Sequence, residues 1–134
     1  MLRADSFPHI KPLLVSVLLV AALGCTELVH ARRPVVDNVL PTVAVAQLPA
    51  EGRETYRLIH TGGPFPHSKD GVVFGNRERL LPKHERGYYL EYTVKTPNAR
   101  DRGARRIVCG GAARVPDACF YTSDHYASFS RIVE

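Results

Sequence analysis

Residues 88–94 read Tyr-Tyr-Leu-Glu-Tyr-Thr-Val, a run of aromatic and β-branched residues that predicts a strand. Side chains alternate between the two faces of a strand, so Leu90, Tyr92 and Val94 share one face. Those three residues suit a hydrophobic core. Glu91 then points away from that core, toward a polar face of the molecule.

The pattern upstream of this strand is helical, and the pattern downstream is β. Pro49 can open a helix that ends at Gly62-Gly63-Pro64, with Glu51 in an early turn, where a carboxylate suits the helix dipole. Turns such as Gly110-Gly111 separate the predicted strands, which are Gly71–Phe74, Tyr88–Lys95, Ala104–Cys109, Cys119–Ser123 and Phe129–Val133. One helix followed by consecutive strands predicts an α+β domain, in which an N-terminal helix packs on a small antiparallel β-sheet.

The N-terminal residues 1–31 have the pattern of a secretory signal peptide. Lys11 precedes an unbroken apolar run at 13–23, which is shorter than the ~20 residues of a membrane span. Val29-His30-Ala31 predicts cleavage after Ala31 and a secreted, extracellular protein. The alternative is lipoprotein processing at Cys25, because Leu23-Gly24-Cys25 resembles the end of a lipobox, and this would give a lipid-anchored surface protein.

The chain after residue 31 divides into two predicted parts. Residues 32–46 contain Pro34 and Pro41 without an amphipathic period, which indicates a linker or pro-segment. Residues 47–134 form the predicted folded domain.

The balance of charges favours a polyanionic partner. The chain carries 18 Lys and Arg against 13 Asp and Glu, a net charge of +5, and loss of residues 1–31 removes two of each sign. A small basic secreted protein suits nucleic acid, an anionic membrane or an acidic polysaccharide. Charge alone does not choose among these.

Cleavage after Ala31 leaves two cysteines, Cys109 and Cys119, on either side of the turn-rich segment 110–118. An even cysteine count outside the cytoplasm predicts a disulfide, and closing so short a loop stabilises a fold by roughly 3 kcal/mol. Two cysteines at this spacing lack the two further ligands of a zinc site.

Three segments together supply the groups that metal-free cleavage of a phosphodiester requires. They are the carboxylate of Glu91, the arginine-dense segment 100–106 and the imidazole of His125. A carboxylate can accept a proton, an imidazole can donate one, and guanidiniums can stabilise charge at phosphorus. Taken singly, each group has an ordinary explanation as a solvated surface charge.

From about Leu48 to its end, the chain resembles the secreted bacterial guanyl-specific ribonucleases of the ribonuclease Sa type and, more distantly, barnase. The matching blocks follow one another in the family's order with few gaps: Gly63–Pro66, Asp70–Glu78, Gly87–Val94, Thr96-Pro97, Ala99-Arg100, Arg102-Gly103, Arg105–Ile107, Tyr121-Thr122 and Asp124–Ala127. The resemblance implies a small α+β fold and endonucleolytic cleavage of RNA after guanosine.

The resemblance also implies roles for individual residues. Glu91 matches the general base, His125 the general acid, and Arg102 and Arg106 the arginines that bind phosphate. The implied products are a 2′,3′-cyclic phosphate and then a 3′-phosphate. No metal or cofactor is implied, since the 2′-hydroxyl of the RNA is the nucleophile.

Guanine recognition maps onto residues 74–78. Glu78 matches the carboxylate that accepts both N1–H and N2–H of guanine, and backbone amides of Asn76 and Arg77 would donate to O6. Phe74 would pack against the base with Arg77 on its other side. Tyr126 matches a residue that contacts the phosphate region.

Two features depart from the family pattern. Gly75 stands where the related proteins carry glutamine, so a side-chain contact is lost there while a backbone amide remains. The disulfide of the relatives joins the chain ends, whereas Cys109–Cys119 would staple a hairpin beside the active site.

The sequence leaves other functions open. One alternative is a catalytically silent domain that binds RNA or another polyanion on the same scaffold. Another is a ribonuclease toxin neutralised by a cognate acidic inhibitor of the barstar type. The protein is expected to be a monomer without stable membrane association, unless Cys25 is lipidated.

Overall fold

The computed structural model describes residues 39–134, in which one helix packs on one six-stranded sheet. The predictions of a signal peptide and of lipidation at Cys25 lie outside the described residues. The elements are β1 (Thr42–Ala44), a 3-10 turn (Val45–Gln47), α1 (Ala50–Thr61), β2 (Val72–Val73), β3 (Tyr89–Thr93), β4 (Arg106–Ala112), β5 (Val115–Thr122) and β6 (Ser130–Val133). The sheet order is β1-β6-β5-β4-β3-β2, antiparallel except for the parallel pair β1–β6. The predicted α+β class is confirmed.

Strand β1 corrects the predicted linker at 32–46. Residues Thr42–Ala44 pair in parallel with Arg131–Val133, and the N–H of Arg131 donates to the carbonyl of Pro41 at 2.7 Å. A three-residue strand is too short to show an alternating pattern, and its partner lies at the far end of the sequence. The sheet therefore begins before residue 47, the predicted start of the folded domain.

Helix α1 covers one face of the sheet and begins and ends where the sequence predicts. Pro49 is its N-cap, and Gly62 closes it in the left-handed conformation (φ 85°), with its N–H donating to the carbonyl of Leu58 at 2.8 Å. Ile59 is fully buried against the sheet, where Tyr92 and Val94 meet it. The predicted alternation of strand β3 is therefore confirmed, with its apolar side chains beneath the helix.

Within residues 39–134, no helix is long and apolar enough to cross a bilayer.

The disulfide between Cys109 and Cys119 is present, and it lies in the core beneath the helix. The two cysteines are direct cross-strand partners in β4 and β5, each 4% exposed. Cys109 also pairs with Leu90, so it faces the helix and not the side of the sheet that carries Glu91. The predicted staple is therefore present in the hairpin that carries Arg106, and the two cysteine side chains lie on the other face of the sheet from Glu91, because adjacent residues of a strand face opposite ways.

The segment between the cysteines is strand and not loop. Strand β4 continues through Gly110 and Gly111, where the register shifts in a bulge, and the chain turns only at residues 113–114. Gly111 takes the left-handed conformation (φ 101°) at this bulge, which an L side chain rarely adopts. Glycines that predict a turn thus form a bulge within a longer hairpin.

The face of the sheet opposite the helix has a smaller core made of loop and strand residues. Its buried members are Leu81, Tyr89, Val108, Phe120 and Phe129. Phe74 and Tyr126 pack on its edge. This face carries Glu91 and the loops that surround it.

Candidate active site

Glu91 lies in the middle of β3, between Val72 of β2 and Val108 of β4. Its side chain is only 13% exposed. One carboxylate oxygen, Oε1, accepts from Nη2 of Arg102 at 3.3 Å, and Oε2 accepts from the hydroxyl of Tyr126 at 2.8 Å. Both oxygens of the carboxylate are therefore oriented by a donor.

The two donors to Glu91 are themselves held in place. Arg102 donates from Nε and Nη2 to Oγ1 of Thr93, at 3.0 and 2.8 Å, which fixes a loop residue to the strand. Burial, followed by the hydrogen bond to Glu91, raises the pKa of the Tyr126 phenol above its ordinary 10.0. The phenol is thus a proton donor throughout the neutral pH range.

Arg106 is a buried cation without a carboxylate partner among the described residues. It is 3% exposed, and Nη1 donates to the backbone carbonyls of Gly103 and Arg105 at 2.9 and 2.7 Å. Its Nε is buried and finds no acceptor in residues 39–134, where no carboxylate lies within 4.0 Å of the guanidinium. A buried, unpaired charge costs several kcal/mol, so an anion bound here would be strongly stabilised.

A tight turn after β5 presents His125. Oγ1 of Thr122 donates to Oδ1 of Asp124 at 2.8 Å, and Asp124 also accepts from the backbone N–H and hydroxyl of Ser128 at 3.0 and 2.6 Å. Aspartate at such a position closes a turn by accepting from nearby donors. These hydrogen bonds lower the pKa of Asp124 to about 2.

Within that turn, two consecutive residues have left-handed backbones. His125 has φ 55° and Tyr126 has φ 70°, which is uncommon for residues with side chains. The N–H of His125 donates to the carbonyl of Ala104 at 3.1 Å, and this bond docks the turn on the segment before β4. Strained backbone of this kind costs about 1–3 kcal/mol a residue and is concentrated at functional sites.

One cleft of ≈1040 Å³ collects most of the residues that the sequence singled out. Glu91, His125 and Tyr126 line it together with the segment 73–78 and the loop residues 84–86. Arg102 and Arg106 reach the same group of side chains, since Arg102 binds Glu91 and the Arg106 guanidinium lies 5.8 Å from the centre of the Tyr126 ring. The carboxylate, the imidazole and both guanidiniums therefore meet at one place on the sheet.

The predicted base-recognition segment forms one wall of this cleft. The ring of Phe74 stacks on that of Tyr126, with centres 5.1 Å apart and planes 26° from parallel. The side-chain amide of Asn76 bonds both the N–H and the carbonyl of Leu81, which shapes the loop. In the described part of the chain, the backbone N–H groups of Asn76 and Arg77 meet no protein acceptor.

Comparisons with known proteins agree with this arrangement. The model of the ribonuclease family matches residues 32–133. The chain belongs to the ribonuclease family. It is 54% identical over 95 residues to the guanyl-specific ribonuclease Sa of Kitasatospora aureofaciens, which covers 71% of this chain and 96% of that protein. Ribonuclease St of Saccharopolyspora erythraea, also guanyl-specific, is 55% identical over 87 residues, 65% of this chain and 82% of the relative.

Solved structures of the family give the same fold for this ribonuclease. Ribonuclease Sa2 in complexes with mononucleotides superposes with a TM-score of 0.68 at 45% identity, covering 73% of this chain and 98% of that one. Ribonuclease Sa2 with guanosine-2′-cyclophosphate gives a TM-score of 0.64 at 46% identity, over 70% and 96% of the two chains.

Several contacts in the site of this ribonuclease are not apparent from sequence reasoning. Thr93 accepts from Arg102. Because Thr93 lies two residues after Glu91, the sequence could have placed it on the same face of the strand as Glu91. The hydrogen bond from Tyr126 to Glu91 joins residues that are 35 positions apart in the sequence, so no local sequence pattern predicts it. His84 and Arg86 line the cleft from a loop whose path depends on the folded structure.

In the described part of the chain, no three His, Cys, Asp or Glu side chains lie close enough together to hold a metal ion.

The turn around Asp124 predicts an acid-sensitive contribution to stability. Its folded pKa of about 2 lies below the ordinary 3.8, so the stabilisation is complete above that ordinary value and is lost as the pH falls toward 2. In Asp124→Asn, the loss of thermal stability relative to the natural protein should therefore be largest near neutral pH and shrink between pH values of about 4 and 2. Melting temperatures measured across this range test the prediction.

The exposed residue Glu85 provides the control, because it makes no side-chain hydrogen bond to a described residue. Glu85→Gln should have the melting temperature of the natural protein at every pH. If the melting temperatures of Asp124→Asn and the natural protein differed by the same amount from neutral pH to pH 2, the lowered pKa of Asp124 would be contradicted.

Proposed function

We infer that the chain is an endoribonuclease that cleaves single-stranded RNA on the 3′ side of guanosine. Cleavage forms a 2′,3′-cyclic phosphate, which the enzyme then hydrolyses to a 3′-phosphate. The observation that carries this conclusion is the meeting of Glu91 and His125 in one cleft beside the segment 74–78. The guanyl-specific relatives at 54% and 55% identity support the same reaction.

In the first step, Glu91 accepts the proton of the guanosine 2′-hydroxyl, and the 2′-oxygen attacks the adjacent phosphorus. His125 donates a proton to the departing 5′-oxygen as the P–O5′ bond breaks. In the second step the roles reverse: His125 takes a proton from water, whose oxygen attacks phosphorus, and Glu91 returns a proton to the 2′-oxygen. Both residues end each turnover in their starting protonation states.

The two arginines stabilise charge on the phosphate. The buried guanidinium of Arg106 has an Nε–H without a protein acceptor in the described residues, and a non-bridging oxygen can accept from it. Arg102, which binds Glu91, lies on the side where the 2′-oxygen attacks. Donors that are oriented before the reaction stabilise the transition state without reorganising during it.

Guanine is selected by the wall of the cleft that contains residues 74–78. The carboxylate of Glu78 accepts from N1–H and N2–H of guanine, and the backbone N–H groups of Asn76 and Arg77 donate to O6. Adenine presents an amino group in place of O6, so both backbone donors would remain unpaired beneath the bound base, which is costly. Phe74 packs on the face of the base, with its own ring supported by Tyr126.

The first test removes the proposed base and the proposed acid. Glu91→Gln and His125→Ala should each lower the rate of transesterification by roughly 10²–10⁴ while RNA binding is retained, because each variant loses one positioned proton-transfer group. The rate is measured on a defined RNA in EDTA, and mapping of the fragment ends identifies cyclic phosphate after guanosine.

Matched controls lie on helix α1, on the opposite face of the sheet. Glu54 is 57% exposed, and His60 is exposed, so Glu54→Gln and His60→Ala should retain natural turnover. Turnover close to natural in either active-site variant would show that its assigned role is wrong. Binding of RNA by the natural protein without cleavage would identify the silent binding domain instead.

The second test concerns base choice. Glu78→Ala should lose the preference for guanosine before it loses cleavage as such, because Glu78 contacts the base and not the phosphorus. The measurement compares kcat/KM for the dinucleotides GpU and ApU. A variant that loses activity equally on both dinucleotides, with its preference intact, would remove Glu78 from guanine recognition.

We also propose that the enzyme is secreted as a monomer and that an acidic protein inhibitor binds it. The signal-peptide pattern of residues 1–31 supports secretion, and the net charge of +5 supports an acidic partner. N-terminal sequencing of protein exported by a bacterial host should find Arg32 first. A lipid-modified Cys25 at the N-terminus, in the membrane fraction, would replace secretion with surface anchoring.

A further inference from the structure

A stacked pair of aromatic rings stands beside the cleft and takes no part in the steps above. The imidazole of His84 lies on the ring of Tyr88, with centres 3.7 Å apart and planes 12° from parallel. The ring of Tyr89 meets His84 edge-on at 5.7 Å. His84 is exposed, so the outermost ring of this stack is accessible from solvent.

The lower ring of the pair is fixed by the strands beneath it. The Tyr88 hydroxyl donates to Oδ2 of Asp117 at 3.0 Å. Its ring lies against the backbone of Gly110, so closely that a Cβ atom at this glycine would collide with it. The Tyr88 carbonyl also accepts from the N–H of Gly111 at 3.2 Å. His84 therefore stacks on a rigid support and not on a mobile side chain.

The cleft that contains Glu91 adjoins a second cavity of ≈450 Å³. His84 and Tyr89 line both. Strand register places the second cavity on the same face of the sheet as Glu91, because Ala118 pairs with Gly110, which in turn pairs with Tyr89. A strand of RNA held at the first cleft can therefore continue over His84 without turning around an edge of the molecule.

Two arginine side chains lie along the path from the first cleft to the second cavity. Arg86 lines the first cleft and Arg131 the second cavity, and neither forms a salt bridge with another described residue. Of the nearby carboxylates, Asp117 accepts the Tyr88 hydroxyl and Glu85 lines the cleft beside Arg86. Stacking rings next to guanidiniums are the groups that bind single-stranded nucleic acid without sequence preference.

We propose that His84, supported by Tyr88, stacks a base of a nucleotide that flanks the cleaved guanosine, while Arg86 and Arg131 bind the phosphates of the same strand. The proposal rests on the ribonuclease function and adds a second nucleotide subsite to it. The subsite would favour RNA chains over the smallest substrates, and it would accept any base, because every base offers a π-face.

The test compares a substrate that reaches the subsite with one that does not. The first is a seven-nucleotide RNA with a single central guanosine, UUUGUUU, and the second is guanosine 2′,3′-cyclic phosphate. His84→Ala should lower the ratio of their kcat/KM values by about 10-fold, the size of one base–aromatic stacking contact of about 1.4 kcal/mol. The loss should appear mainly in KM for the seven-nucleotide RNA. His84→Phe, which keeps a flat ring, should restore most of the ratio.

His60→Ala is the matched control, since this exposed histidine lies on helix α1 and should leave the ratio unaltered. If His84→Ala has the same ratio of kcat/KM values as the natural protein, the subsite is overturned. This includes the case in which kcat/KM falls equally on both substrates, which would indicate a structural role for His84. Failure of the natural protein to cleave the seven-nucleotide RNA would instead overturn the ribonuclease function. The two failures are thus distinguishable.

Discussion

The pairing of β3 with β4 in a single register is the constraint on which the site depends. Glu91 lies opposite Val108, and Thr93 lies opposite Arg106, so the carboxylate and the buried guanidinium share one face of the sheet. Side chains alternate with a period of two, and a slip of one strand by one residue would turn its charged side chain into the core beneath the helix, away from the other charge. The fully buried Ile107, held under α1, prevents that slip. Hydrophobic packing on one face therefore positions charged groups on the other.

Much of this could be read from the sequence, because alternation within one strand is a local property. Residues 88–94 indicate which way Glu91 faces, and Gly62 marks the end of α1. Strand β1 could not be predicted, since three residues show no period and their partners lie near residue 132. The hydrogen bond from Tyr126 to Glu91 was inaccessible for the same reason. Long-range pairing decides these features, and the left-handed backbone of His125 follows from a turn closed by Asp124.

The site keeps two arrangements that are unfavourable in isolation. Arg106 is buried without a carboxylate among the described residues, and His125 and Tyr126 have left-handed backbones. Local hydrogen bonds hold both in place: backbone carbonyls accept from Arg106, and Asp124 closes the turn. Such costs persist only where the surrounding structure offsets them. The disulfide contributes to that stability from the opposite face of the sheet, without occupying space in the cleft.

Tyr126 connects the functional groups that the chain brings together from separate segments. Its hydroxyl binds Glu91, its ring stacks on Phe74, and the guanidinium of Arg106 lies 5.8 Å from the ring centre. His125 precedes it in the same strained turn. A change at Glu91, Phe74 or Arg106 therefore alters the surroundings of Tyr126, which all three contact. Their effects on the reaction cannot be independent, since groups in one contact network show coupling energies of 0.5–3 kcal/mol in general. The carboxylate, the guanidinium and the ring of Phe74 are best regarded as one unit assembled around this phenol.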